Sequence, residues 1–303
     1  MLFESPAIST NVLETDLFIK KQVSVSVLRI DQTHPILSGN KFYKLHYFLQ
    51  DAISGGYKTI ITFGGGWSNH LLATAFASRI AGLDCIGIVR GEVRVGLTTT
   101  LQRSIGFGMK LKFISREDYA KKDDPDFIPD LIPGAEDCLI IPEGGFHPKG
   151  AKGASLIMDK LKNDQYTHIC TATGTSTTLA GLLLATQATQ SIIGIPVLKG
   201  MADMPERIFY LTGKKAEQNR PGILSDCHFG GYAKRTPELL KFMNDCWQQF
   251  QLPLDFVYTA KMLFGVIEAI KTDQFVKGSN ILCIHTGGLQ GNDSLPADSL
   301  LFR

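Results

Sequence analysis

The chain has 303 residues, 44% hydrophobic and 20% charged, enough apolar material to bury a large core and too much for a disordered polymer. A formal net charge of +2 with no basic block offers nothing to nucleic acid or to an anionic membrane surface. The opening Met1-Leu2-Phe3-Glu4-Ser5-Pro6 lacks the basic start and apolar run of a signal peptide, and no apolar stretch is long enough for a bilayer span, so a cytoplasmic protein is expected.

In chain order, residues 23–28 alternate and are β-rich, which predicts a strand. After Pro35 and Gly39, residues 41–49 space their apolar side chains as a helix that Gly55-Gly56 ends. Residues 59–63 form a compact apolar strand, a glycine turn follows, and residues 68–81 read as a helix. Strands are predicted at 85–89 and 110–114, then a loop-like, exposed stretch at 120–134 rich in Asp and Pro. A strand at 139–142 leads through Glu143-Gly144-Gly145 to a helix at about 150–161. The second half reads as strand 168–171, helix 179–186, strand 192–197, helix 237–250 capped by Thr236, helix 260–272 and strand 280–284. Strands alternating with helices predict an α/β protein with parallel sheets covered on both faces, and such sheets bind ligands at the carboxyl ends of their strands.

The six cysteines (Cys85, Cys138, Cys170, Cys227, Cys246 and Cys283) include no CxxC pair and are read as free thiols, mostly buried. The seven histidines show no HxxH or HExxH spacing, so no metal site is expected.

Three segments could carry chemistry. In Ser38-Gly39-Asn40-Lys41, glycine permits close backbone approach and asparagine sets a polar group beside an amine. Read alone, Lys41 is a solvated lysine in a first helical turn, the commoner state of any lysine; held against such a turn, it can form a Schiff base with an aldehyde cofactor. Lys44, one turn on, either reaches an anion or faces water. In Gly64-Gly65-Gly66-Trp67-Ser68-Asn69-His70, Ser68 is either a simple helix cap or part of an anion seat at the helix start. His70 reads as a packed or hydrogen-bonded histidine sooner than as a ligand or base. Thr173-Gly174-Thr175-Ser176-Thr177-Thr178 repeats the strand–turn–helix pattern with adjacent hydroxyls, a cradle for a phosphate dianion sooner than a Thr-rich cap. No lysine follows as in a Walker loop and no GxGxxG occurs here. Together the three segments point to an enzyme using pyridoxal 5'-phosphate (PLP).

Through these and further segments the chain resembles the PLP-dependent family of D-cysteine desulfhydrases and 1-aminocyclopropane-1-carboxylate (ACC) deaminases, within the tryptophan-synthase-β-like fold (PLP fold type II). The resemblance runs through Arg29-Ile30-Asp31, His34-Pro35, Gly39-Asn40-Lys41, Lys44-Leu45, Gly64-Gly65, Ser68-Asn69-His70, Ile141-Pro142-Glu143-Gly144-Gly145, residues 173–181, Gly230-Gly231-Tyr232, Val257-Tyr258 with Lys261, and His285-Thr286-Gly287-Gly288. It implies two lobes, residues 45–150 forming the smaller and residues 1–44 with 151–303 the larger PLP-binding one, with PLP in the cleft between them, and a homodimer. It also implies that Lys41 is the Schiff-base lysine, that Asn69 contacts the cofactor's ring hydroxyl, and that Gly174, Thr175, Ser176, Thr177 and Thr178 hold its phosphate. Thr286 would approach the pyridine nitrogen, Ser68 would meet the substrate carboxylate with Asn69, His70 and Trp67 nearby, and Tyr232 and Tyr258 would flank the reacting carbons.

The chain departs from the family pattern at Trp67, where a polar residue is common, at Ser176-Thr177, which replace a glycine pair, and at Tyr43, often an arginine. ACC deaminases typically carry a glutamate after the tyrosine matching Tyr258 and a leucine where Thr286 stands; Thr259 and Thr286 follow the desulfhydrase-like pattern. The expected reaction is therefore β-elimination on a D-amino acid, best matched by D-cysteine going to pyruvate, ammonia and hydrogen sulfide, with Lys41, Ser68 and Tyr258 as the catalytic set. ACC deamination to 2-oxobutyrate and ammonia, and a non-catalytic ligand-binding relative whose site Trp67 fills, are the alternatives.

Overall fold

The computed structural model describes residues 7–92, 96–124, 126–161, 165–215 and 221–302; the reading of residues 1–6 and of Pro125 lies outside them. Among the described residues ten strands form two sheets. The larger, in the order β1-β2-β10-β7-β8-β9, is built from β1 (Thr10–Leu13), β2 (Ser24–Leu28), β7 (His168–Thr173), β8 (Ser191–Pro196), β9 (Gly222–Ile223) and β10 (Asn280–Ile284). The smaller, in the order β5-β4-β3-β6, comprises β3 (Thr59–Gly64), β4 (Asp84–Arg90), β5 (Met109–Ile114) and β6 (Cys138–Ile141). Every pairing is parallel except β1 on β2, which is antiparallel. The central strands are buried along nearly their whole length, apolar apart from a few buried threonines, as parallel sheets covered on both faces require.

The helices are α1 (Asp16–Lys21), α2 (Asn40–Lys44), α3 (His46–Ser54), α4 (Asn69–Ile80), α5 (Thr99–Gly106), α6 (Arg116–Ala120), α7 (Phe127–Leu131), α8 (Pro148–Ser155), α9 (Thr177–Ala185), α10 (Met204–Thr212), α11 (Pro237–Phe250) and α12 (Thr259–Lys271). Side-chain caps set several of their starts. Ser68 accepts the Leu71 amide, Thr98 the Leu101 amide and Thr236 the Leu239 amide, each relieving a backbone donor the first turn leaves open. Among the described residues no helix is long and apolar enough to cross a membrane. All six cysteines are free; Cys85, Cys170, Cys246 and Cys283 are buried, Cys138 and Cys227 partly so.

Three expectations need correcting. The stretch 120–134 is not a plain exposed loop: it contains α7, whose Ile128 packs with Tyr119, Ile132 and Ala135 against Ile61, Phe63 and Ile88 of the small sheet. A few apolar side chains anchor it despite its polar composition. The helix expected at 41–49 is two helices, α2 and α3, meeting at Leu45. The helix expected at 150–161 starts earlier and ends earlier, because Pro148 fits a first helical turn and His147 accepts the Lys149 amide.

Candidate active site

The carboxyl ends of β2, β3, β7 and β10 lead into one cavity of about 430 Å³. Its walls include Lys41, Trp67, Ser68, Asn69, His70, Gly174, Thr175, Ser176, Thr177, Thr178, Tyr232, Tyr258 and Thr286, so the structure brings every sequence-nominated residue to the same space. This is the crevice where an open α/β sheet binds ligands.

Lys41 is delivered by a backbone turn that only glycine could make. Gly39 has φ 63° and ψ −144°, and its amide donates to Ile30 O (3.0 Å) and to Thr33 Oγ1 (3.1 Å). The next amide, of Asn40, donates to Thr286 O at 3.1 Å, tying the start of α2 to the end of β10. Asn40 then links two parts of the site: its Oδ1 accepts from Lys41 Nζ at 3.0 Å, and its Nδ2 donates to Thr178 Oγ1 at 2.9 Å. Burial pulls the Lys41 pKa down to about 8, against the opposing charge of Asp255. The Lys44 ammonium is buried as well and donates to Gly144 O at 3.3 Å. Burial first, and then the Lys41 charge, hold its pKa well below the ordinary range.

In the turn after β3, Ser68 caps α4 by accepting the Leu71 amide at 3.2 Å, so the capping role is real. Accepting that bond leaves the hydroxyl proton free to be donated into the cavity. Asn69 Oδ1 is buried with no partner among the described residues. His70 is buried, with Nε2 at 2.9 Å from Thr62 Oγ1, whose own proton goes to Ile141 O at 2.9 Å. Nε2 must therefore be the donor. Burial, and then the Lys41 and Lys44 charges, push the imidazole pKa well below its ordinary value, which keeps it neutral.

In the turn after β7, Ser176 sits in the left-handed region at φ 65°, a strained conformation for a residue with a side chain. Thr175 and Thr177 pair their hydroxyls at 2.9 Å, while Ser176 Oγ is buried without a partner among the described residues. The first-turn amides of α9 open on the same side, where helix geometry favours an anion. Tyr258 stands at the start of α12, and its ring meets that of Tyr232 edge-on, centroids 6.1 Å apart at 69°. Burial raises the Tyr258 phenol well above its ordinary pKa, so it stays protonated.

Asp255 escaped the sequence reading. It is fully buried, with Oδ1 accepting the Val257 (3.0 Å) and Tyr258 (2.8 Å) amides and Oδ2 the Thr259 amide (2.9 Å) and hydroxyl (2.6 Å). An aspartate a few residues ahead of an apolar helix is a capping signal that could have found it. The same bonds correct the weight placed on Thr259: its hydroxyl is spent on Asp255 and it is not among the cavity walls, whereas Thr286 is.

The residues present fit PLP. A hydroxyl turn with an unpartnered buried Ser176 Oγ suits a phosphate, the unpartnered Asn69 Oδ1 suits a ring hydroxyl, and an amine of lowered pKa suits imine chemistry.

No protein-family model matches the chain. It is 32% identical over 285 residues (89% of this chain, 86% of the other) to a Pyrococcus abyssi protein provisionally named a 1-aminocyclopropane-1-carboxylate deaminase. It is 30% identical over 306 residues (91% and 73%) to the mitochondrial bifunctional D-cysteine desulfhydrase/1-aminocyclopropane-1-carboxylate deaminase of Arabidopsis thaliana. The crystal structure of an ACC deaminase homologue superposes with a TM-score of 0.81 at 27% identity, covering 96% of this chain and 91% of that one. The fold and the cavity are those of a fold type II PLP-dependent enzyme. The chain belongs to the ACC deaminase and D-cysteine desulfhydrase family, whose members are PLP-dependent lyases.

Proposed function

We propose that the chain catalyses β-elimination on a D-amino acid carrying a good leaving group, with D-cysteine converted by water to pyruvate, ammonia and hydrogen sulfide. Residues 174–178 and Lys44 Nζ would hold the cofactor phosphate, Asn69 the ring hydroxyl and Thr286 the ring nitrogen. Bound PLP supplies an electron sink for charge developing at the substrate's α-carbon. The Ser68 hydroxyl and the open amides at the start of α4 bind and orient the substrate carboxylate. Lys41 Nζ, whose pKa burial lowers to about 8 so that far more of it is neutral than of an ordinary lysine, removes the α-proton. Tyr258, kept protonated by burial, lines the reacting end and can donate its proton to a departing thiolate.

The observation that carries the choice of reaction is the Thr286 hydroxyl on the cavity wall. A neutral hydroxyl leaves a ring nitrogen less firmly protonated than a carboxylate would, which moderates electron withdrawal. Moderate withdrawal suffices to remove an α-proton and expel a thiolate. Opening a cyclopropane has no α-proton to begin from and demands more. ACC deamination is the second reading, favoured by the names of the relatives, one of which combines both activities. We also read residues 45–150 as the smaller lobe and residues 1–44 with 151–303 as the larger, in a homodimer of cytoplasmic location.

The test is incubation of the holoenzyme with D-cysteine, L-cysteine, D-serine and ACC, scoring pyruvate, sulfide and 2-oxobutyrate. Pyruvate with sulfide from D-cysteine is expected. 2-Oxobutyrate from ACC without sulfide from D-cysteine overturns the choice, and silence on all four favours the non-catalytic reading.

A further inference from the structure

Three residues beyond Tyr258 on α12, Lys261 is fully buried and lies outside the cavity walls. Among the described residues no carboxylate lies within ion-pair distance of it. Its Nζ donates instead to two backbone carbonyls of one loop, His228 O at 2.9 Å and Gly231 O at 2.7 Å. That loop is poorly suited to hold itself. Asp226, Phe229, Gly230, Gly231 and Ala233 all have positive φ (73°, 51°, 90°, 117° and 53°), and three of these five carry side chains. Its internal bonds are few: Gly231 N to His228 O, Lys234 N to Gly231 O, and Gly230 N to His228 Nδ1. Two apolar anchors, Phe229 edge-on against Phe264 of α12 at 4.9 Å and Cys227 packed on the same core, add to the ammonium. Tyr232 follows immediately, on the cavity rim against Tyr258.

We propose that Lys261 is a positioning residue that clamps the 228–231 loop through its two carbonyls and thereby holds Tyr232 against Tyr258 at the mouth of the site. An ammonium suits such a clamp, because two of its three donors serve both carbonyls at once, and a buried charge bound this way strongly resists loss of either bond. Helix α12 thus sets one tyrosine directly and the other through a side chain one turn further on. The consequence for turnover rests on the proposed function, in which Tyr232 faces the substrate; the consequence for the loop does not.

The test compares holoenzyme bearing Lys261→Met, close in shape but unable to donate, with Lys261→Gln, which keeps an amide donor. Amide hydrogen exchange across residues 226–233 should quicken by at least about tenfold in the Met variant and less in the Gln variant, with exchange in α9 unchanged. With D-cysteine the Met variant should raise KM several-fold while kcat holds within about threefold, and Lys261→Met with Tyr232→Ala should be no worse than Tyr232→Ala alone. Unchanged loop exchange in a folded Lys261→Met protein overturns the proposal. If that variant does not fold, unchanged exchange in Lys261→Gln does the same. Should Tyr232→Ala leave KM untouched, the reading of the site falls, and loop exchange still decides the role of Lys261.

Discussion

Gly39 lies so tightly against Thr286 that a side-chain carbon at position 39 would fall 2.5 Å from the Thr286 carbonyl carbon and closer still to its oxygen. The contact joins the turn that carries Lys41 to the strand end that carries Thr286, the two groups proposed to act at opposite ends of one ring. With φ 63° and ψ −144° the backbone also occupies a region nearly closed to other residues. Gly39→Ala should therefore cost at least ~3 kcal/mol and weaken cofactor retention. Calorimetry and the visible absorbance of the purified protein check it; a normal melting temperature with full colour would show that the turn can relax.

Beneath this turn lies a buried charge cluster. Arg29 grips Asp31 through two bonds, Nε at 2.8 Å and Nη2 at 2.7 Å, and His285 Nδ1 approaches the same carboxylate at 3.2 Å. The Arg29 and Asp31 side chains are 8% and 4% exposed, so solvent cannot replace a lost partner. Asp31→Ala leaves the guanidinium buried and unpaired, and should cost about 3–5 kcal/mol. A matched Arg29→Met with Asp31→Leu should recover much of that loss, because the cost lies in the orphaned charge and not in the missing pair. Urea unfolding of the two variants separates these outcomes.

The parts of the fold that could be read from sequence are those whose signal is local. Residues 280–284 form β10 as expected, since a buried parallel strand needs only a short apolar run, and α11 was marked at its start by Thr236 and Pro237. Of what was missed, α1, α5 and α10 carry local start signals that were passed over, the Thr15 and Thr98 caps and Pro205 in a first turn, whereas β1 and α7 depend on distant partners. β1 is only four residues long and is defined by antiparallel pairing with β2. α7 shows itself only when Ile128 meets the small sheet. In the site, the glycine and hydroxyl turns announced themselves by composition, because only such residues make them. The clamp of Lys261 stayed hidden because it acts on backbone carbonyls, which leave no mark on the sequence; Asp255, which binds backbone amides, was passed over although its place ahead of α12 is a capping signal.

Ser176 carries a conflict between stability and binding. Its left-handed backbone is easier for glycine, yet its buried hydroxyl is one of the few groups in the phosphate turn still without a partner. Ser176→Gly should stabilise the apoprotein by about 1 kcal/mol and weaken PLP binding severalfold. Unfolding of the apoprotein and titration with PLP give the two numbers. Should both move in the same direction, strain and binding are not in opposition here.

Lys41 fixes the pH dependence of cofactor loading. Burial brings its pKa from an ordinary 10.5 down to about 8, so the neutral amine, the form that attacks an aldehyde, becomes scarce as pH falls below about 8. The rate of PLP uptake by the apoprotein should rise close to tenfold per pH unit up to that point and flatten above it. Rapid-mixing absorbance measures it. A rate still climbing steeply between pH 9 and 10.5, about where an ordinary lysine titrates, would place Lys41 in water and remove the basis for its role as base.

Trp67 is the residue most able to set which side chain the site accepts. It is 38% exposed on the turn between Gly66 and Ser68, and so stands one residue before the proposed carboxylate anchor. An indole there limits the space for a substituent beyond the β-carbon, and apolar walls of this kind discriminate by about 10- to 200-fold per misfitting group. Trp67→Ser should leave D-cysteine turnover within about threefold while raising kcat/KM for D-amino acids with larger β-substituents by tenfold or more. Ser68 remains to hold the carboxylate, so the gain should appear mainly in KM. The measurement is the ratio of kcat/KM values for D-cysteine and its S-alkyl derivatives in the two proteins. If the ratio does not shift, Trp67 faces solvent and the selectivity must be sought in the other walls, Tyr232 first among them.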